Sequence, residues 1–400
     1  MTGTLLLLLA LASPVLAAED PATQWKTEIE SGRKAIAARN YSAAAESFRA
    51  ALAHAEAVPG EAAGVVEALR ACARGARLLD RFEDAEQFLS RAVTLSGEKF
   101  GDASPEIASA LSELAGVQRA REKRAEALAS LRKAVRIRQN LPDVKREDIA
   151  KDVTAVALLE VALNDVKAAK ETLAQAIGAW EAAAGPDSVQ LLPALDALGR
   201  IYRDAADYDQ AEPLYSRSIE IREAAMGRDS SDLLAALDSM AYVYFGQKKL
   251  PQAEATYKRL LALWIASAGP DHPMVALTHD KLAEFYAFQQ RYPEAEAESS
   301  QALTLRTAQH LASLQQTGRI LLMEAKMKEA EDHYRRAVQI GDLGKAPDEA
   351  MDPVLRIYAT VLRTANHPQE ADAIDKRVKE ALFRKGEREG RRPSPVKLPQ

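Results

Sequence analysis

A single cysteine, Cys72, in 400 residues excludes an internal disulfide and any cysteine-cluster metal site. Glycine (19) and proline (18) are too sparse for a loop-rich or all-β chain. Positive charge is not in excess: Lys plus Arg is 53 and Asp plus Glu is 58, giving net −5. A surface devoted to nucleic acid is thereby excluded. No apolar run reaches the roughly 20 residues that cross a bilayer, so no membrane span is expected. Phosphate-loop, nucleophile-elbow and zinc-helix signatures are all missing, and the six histidines are scattered. The expectation is therefore a chain without catalysis, cofactor or metal. Asp271, His272, His279 and Asp280 form the one local group with ligand chemistry; Asp271 reads as a helix cap and His272 as linker.

What is abundant is alanine, about one residue in five, and alanine is the strongest helix former. Leu5 to Leu16 is an apolar run interrupted only by Ser13 and Pro14, with small residues at Val15 and Ala17 and an acidic start at Glu19 and Asp20. That pattern reads as a secretory signal over residues 1–17 and a short linker over 18–22. A chain with a lone thiol also suits an oxidising compartment, where it has no second cysteine to mispair with. Export to a bacterial periplasm or to the medium is the expectation.

The rest of the chain repeats. Ala44, Ala85, Ala127, Ala169, Ala211, Ala253, Ala295, Ala330 and Ala371 align in successive segments, with steps of 41, five of 42, then 35 and 41. Seven residues later a second small or apolar position follows: Ala51, Ala92, Ala134, Ala176, Ser218, Leu260, Ala302, Ala337 and Val378. Seven residues is two helical turns, so both positions share one face and let helices approach closely. Each unit reads as two helices: Leu195, Leu198, Gly199 and Tyr202 stripe the first, and Ala211, Leu214, Tyr215, Ser218 and Ile219 the second. Pro251 and Pro293 sit in first turns, where a missing N–H costs nothing. Between units, Gly185, Gly227 and Gly269 each precede an Asp by two residues; Gly would end one helix in the left-handed conformation and Asp would cap the next.

Repetition of this kind predicts an all-α solenoid superhelix of about nine helix-turn-helix repeats, continuous over 23–384, with no strand and a basic, Pro-containing disordered tail over 385–400. The shortened step before Ala330 predicts shorter helices or a changed twist near Arg306 to Gln316. Ala211-Glu-Pro-Leu-Tyr215 and Gly269-Pro-Asp-His-Pro273 resemble the tetratricopeptide repeat of the kinesin-light-chain type. That resemblance implies a superhelix that binds peptides or protein segments along a concave groove. The asparagine pair that the family often carries on its first helix is replaced by Asp196-Ala197, Asp238-Ser239 and Asp280-Lys281, so the family's asparagine contacts do not transfer.

If first helices line the groove, register places Arg70, Arg74 and Arg77 on one face, with Lys26, Arg33, Arg119 and Lys151 at equivalent places. Further along come Asp196, Asp238 and Asp280, then Tyr242, Phe245, Glu284 and Phe288. A groove running from basic to acidic and aromatic is expected, although a charged stripe is also what a solvated helix face looks like. The function this implies is an exported, non-enzymatic scaffold that binds a protein or peptide partner. The alternative is a small-molecule receptor or an accessory subunit of an envelope enzyme.

Overall fold

The computed structural model describes residues 21–323, 326–343, 346 and 348–388; the segment 1–17 expected to be a signal and most of the expected basic tail lie outside them. Contacts divide the chain into two compact units, Met1–Ile201 and Tyr202–Gln400. The first contains α1 (Pro21–Ala37), α2 (Tyr41–Ala57), α3 (Ala62–Leu78), α4 (Phe82–Phe100), α5 (Pro105–Ala120), α6 (Arg124–Gln139), α7 (Arg146–Ala162) and α8 (Val166–Ala184). The division falls inside α9 (Leu192–Asp204). The second continues with α10 (Tyr208–Met226), α11 (Leu234–Gly246), α12 (Leu250–Ala268), α13 (Pro273–Phe288), α14 (Tyr292–Met323), α15 (Met327–Leu343), α16 (Asp348–Thr364) and α17 (Pro368–Arg388). Each unit is a stack of helix-turn-helix pairs, and no strand occurs among the described residues. The final helix runs to Arg388 and so covers the first four residues of the expected tail.

The small-residue ladder lies where the helices meet. Ala44, Ala85, Ala127, Ala169, Ala211, Ala253, Ala330 and Ala371 are completely buried, as are Ala51, Ala92, Ala134, Ala176, Ser218 and Ala337 of the second ladder. Ala295 is the exception and is only partly buried. Cys72 takes one of the small slots on α3, its thiol donating to the Phe48 carbonyl at 3.1 Å. Burial, the largest influence on it, pushes the thiol up to about 12, which makes it a core residue rather than a nucleophile.

Two backbone registers define the turns. Arg39, Asp80, Glu122, Asn164, Ala206, Lys248, Gln290 and Asn366 all end first helices with φ between 56° and 67°. The following residue closes a Schellman-type bond, as Lys123 N–H does to Gln118 O at 2.8 Å and Lys249 N–H to Tyr244 O at 2.9 Å. At the second turn, Gly101, Gly185, Gly227 and Gly269 have φ of 83–91° and ψ of 159–167°. That is the extended mirror region, essentially closed to any residue with a Cβ, rather than the left-handed helical state expected from sequence. The capping expectation also shifts by one residue. Ser104, Ser188, Ser230 and His272, not Asp187, Asp229 and Asp271, accept the free N–H groups, at 3.2–3.4 Å. The Asp lies one position too early, because the glycine's extended φ,ψ carries the chain a further residue before the helix begins.

Neighbouring repeats are tied together by carboxylates. Glu86 of α4 binds Lys123 at 2.9 Å and Arg121. Glu212 of α10 binds Lys249 at 2.5 Å and Gln247 at 2.9 Å. Glu254 of α12 binds Arg291 at 2.8 Å, Lys258 at 2.7 Å and the Tyr286 hydroxyl at 2.9 Å. In all three, a Glu just after the ladder alanine reaches a base 37 residues on, in the next unit's first turn. The bonds from Lys258 and then Arg291 hold the Glu254 carboxyl down at about 2, against 4.5 without them. A carboxyl lowered on folding stabilises the fold above its unfolded value and loses that contribution as the pH falls. For Glu254 the loss runs from pH 4.5 toward 2. Since Lys258 and Arg291 are solvated, the contribution is on the order of 1 kcal/mol. Glu254→Gln is therefore expected to lower the urea midpoint at pH 7 and to flatten its decline below pH 4.5. A variant whose acid limb matches the parent would show that the clamp contributes nothing.

The shortened step has an unexpected cause. Helix α14 spans 32 residues without interruption, so the second helix of one repeat runs directly into the first helix of the next. The shorter helices expected near Arg306 to Gln316 as one alternative to a changed twist are not present; the helix there is the longest of those described. No Gly or Pro stands between Ala295 and Leu314, and without one the backbone has no reason to leave the helix.

Candidate functional site

In the second unit, a cleft of about 740 Å³ opens between the end of α9, α11 and α13. On α11, Asp238, Tyr242 and Phe245 fall at i, i+4 and i+7, one face of the helix. From α13 come Lys281, Glu284 and Phe285; Arg203 and Asp204 close one end, beside Tyr208. Tyr257 of α12 forms the floor, and burial pushes its phenol upward, so it stays neutral.

The aromatics form one connected group. Phe245 packs edge-on against Phe285, with centroids 5.6 Å apart, and against Phe288 at 5.0 Å. Tyr242 meets Tyr208 edge-on at 6.2 Å, and the Arg203 guanidinium lies 6.0 Å from its ring centroid. Arg203 is held in turn by Asp204 at 2.8 Å and by the Ser239 hydroxyl at 3.1 Å. Despite these contacts, Tyr242 remains 50% exposed and Phe288 59%. Large aromatic faces left in water beside a cleft mark a binding surface more strongly than scattered apolar residues do.

The charged residues expected in the groove are mostly paired. Asp238 bonds Lys281, and Asp280 bonds Arg306 from α14. The ladder of acids is therefore neutralised at those two rungs by bases one register position away or on the next helix. Asp196 is half-buried and belongs to the first unit. There, Arg70 bonds Glu113 at 2.6 Å and Arg33 bonds Glu67 at 3.3 Å, so the basic stripe is cross-braced between first helices. Arg74, Arg77 and Arg119 are exposed. Asp238, Tyr242, Phe245 and Glu284 come together in the cleft, and Phe288 flanks it through Phe245. Sequence register missed Lys281 and Phe285, one position past Asp280 and Glu284, and Arg203, which lies one 42-residue period before Phe245.

His272 and His279 serve the frame. His272 caps α13 and stacks on Trp264, rings 5.1 Å apart and 9° from parallel. His279 Nδ1 lies 2.6 Å from Glu298. No group of three potential metal ligands occurs among the described residues.

Stacked helical hairpins with a ladder of buried alanines are matched by the tetratricopeptide repeat family model over residues 76–140, 152–224 and 232–308, more than half of the chain. The chain belongs to the tetratricopeptide repeat family. Its 42-residue spacing and the motifs at Ala211–Tyr215 and Gly269–Pro273 resemble repeats of the kinesin-light-chain type. Among solved structures, this tetratricopeptide-repeat protein is similar to the apo form of the quorum sensor NprR from B. thuringiensis. The match has 14% identity over 92% of this chain and 89% of that one, with a TM-score of 0.51. A signal transduction ATPase with a tetratricopeptide repeat sensor from Pyrococcus horikoshii matches at 17% identity and TM-score 0.55, over 69% of this chain and 41% of that one. BtubC from P. vanneervenii matches at 18% identity and TM-score 0.46, over 57% of this chain and 92% of that one. At such identities the likeness is one of fold. No curated protein matches the sequence.

Proposed function

We propose that this tetratricopeptide-repeat protein is an exported, non-enzymatic scaffold that holds an extended segment of a partner protein in the cleft between α11 and α13. The observation that carries the reading is the exposed aromatic pair, Tyr242 and Phe288, on either side of the half-buried Phe245. An apolar side chain of the partner seats against Phe245, and the two exposed rings close over its flanks. Anchors of this kind supply about 2 kcal/mol or more each, whereas exposed ion pairs supply about 0–1. Glu284, exposed at the rim, sets the direction of a segment that carries a base near its anchor. Because the cleft opens onto these ledges, a chain segment suits it better than an enclosed small molecule. Export rests on the apolar segment Leu5–Leu16 and the small residues before Glu19.

Selection of displayed random peptides on the purified protein tests the reading. Enrichment of sequences with an aromatic or large aliphatic residue next to a base is expected, and Tyr242→Ala/Phe288→Ala should abolish it. Equal enrichment on the double variant would place binding elsewhere.

A further inference from the structure

We propose a second binding site, in the first unit and on the side of the second helices, that takes the ammonium or guanidinium head of an aliphatic chain. It is independent of the cleft described above. Its centre is Glu160 of α7, only 2% exposed. Oε1 of Glu160 accepts from Arg132 Nη2 at 2.8 Å, while Oε2 is buried with no hydrogen-bond partner. By contrast, Glu86 and Glu254 accept on both carboxylate oxygens, from two donors and three. A desolvated carboxylate oxygen without a donor is costly, and Glu160 is left with one.

Glu160 lines a cavity of about 560 Å³ between α6, α7 and α8. Val153, Val156 and Ala168 form its apolar walls, and Arg136 and Glu171 stand with it at the mouth. The walls suit a methylene stem; the unmet oxygen suits a positively charged donor, since charge-assisted bonds to a carboxylate are the strong ones. Arg132 holds Glu160 through one nitrogen and is itself 49% exposed. Turning its guanidinium outward opens the way to Oε2. Arg132 and Arg136 balance Glu160 and Glu171, so an entering monocation meets no excess of like charge, while an anion would meet the buried carboxylate.

The same head group can come from a free amine or from a lysine of a partner protein. Calorimetric titration of the full chain with n-butylamine and with the blocked tripeptide acetyl-Ala-Lys-Ala-amide separates the two, with 1-butanol as the neutral control. Saturable binding of at least one cation, and none of butanol, is expected. Tighter binding of the tripeptide assigns the site to a partner's side chain, and tighter binding of butylamine assigns it to a free amine. Glu160→Gln should weaken binding at least tenfold. Ala168→Leu, which narrows the cavity at its apolar wall and leaves Glu160 intact, should do the same, so a folding defect in one variant does not decide the matter. Affinities unchanged in both variants, or no saturable binding of either cation, would overturn the proposal.

Discussion

Replacing His310 with proline is expected to destabilise the second unit by about 3 kcal/mol or more, the typical cost of proline inside a helix. His310 is exposed on α14, so the change removes little packing and tests the backbone alone. At the junctions marked by Gly101, Gly185, Gly227 and Gly269 a glycine ends one helix, and after the last of them Pro273 opens the next without penalty. If residues 306–316 formed such a linker, proline at 310 would be tolerated. Urea unfolding followed by hydrogen exchange separates the cases: α14 should lose protection first, and the midpoint should fall. A shift below about 1 kcal/mol would contradict a continuous helix, since a proline in a linker forfeits neither a helical hydrogen bond nor a turn of packing.

Ala211→Trp is expected to be at least as damaging. Ala211 has no exposed surface and packs with Tyr215, Met240 and Val243 between α10 and α11. An indole has no room there, and overpacking typically costs about 1–3 kcal/mol, more when helices must part. In a repeat stack each unit touches only its neighbours, so protection should be lost in α10 and α11 and largely kept in α16 and α17. A thermal melt equal to the parent's would mean that the ladder alanines do not set the spacing between helices.

Much of this architecture was legible as period and residue size. Ala44 to Ala253 recur at near-constant spacing because close helix approach leaves no alternative to a small side chain at that point. The linker glycines were equally legible, since their φ,ψ excludes other residues. Other features leave no such mark. The positive-φ residues at the first turns, from Arg39 to Asn366, share no side-chain type, so their register exists only in the backbone. The capping shift from Asp to Ser or His is a one-residue geometric detail. The continuity of α14 is encoded by an absence of breakers, whereas the interval from Ala295 to Ala330 alone suggested shorter helices or a changed twist.

The cleft was legible in part for a similar reason. Helical periodicity brings Asp238, Tyr242 and Phe245 onto one face, and the 42-residue period brings Asp280 into the same frame. Periodicity does not reveal which residue of the next helix answers Asp238. The partner is Lys281, one position beyond the aligned acid, because adjacent first helices are offset and Cβ vectors lean along the axis. Charges that looked like a continuous acidic stripe are therefore local pairs, which leaves the aromatic ledge as the main source of affinity. The 37-residue Glu-to-Lys or Glu-to-Arg spacing behaves the same way: it is plain once neighbouring repeats are superposed and invisible within either one.

Site-specific photocrosslinking in the native host tests the binding reading most directly. A benzophenone amino acid placed at Tyr242 or at Phe288 should capture the same partner segment. The same probe at Glu220, exposed on the second-helix face of α10, should not capture it. Adducts from Glu220 with none from Tyr242 or Phe288 would contradict a partner seated in the cleft.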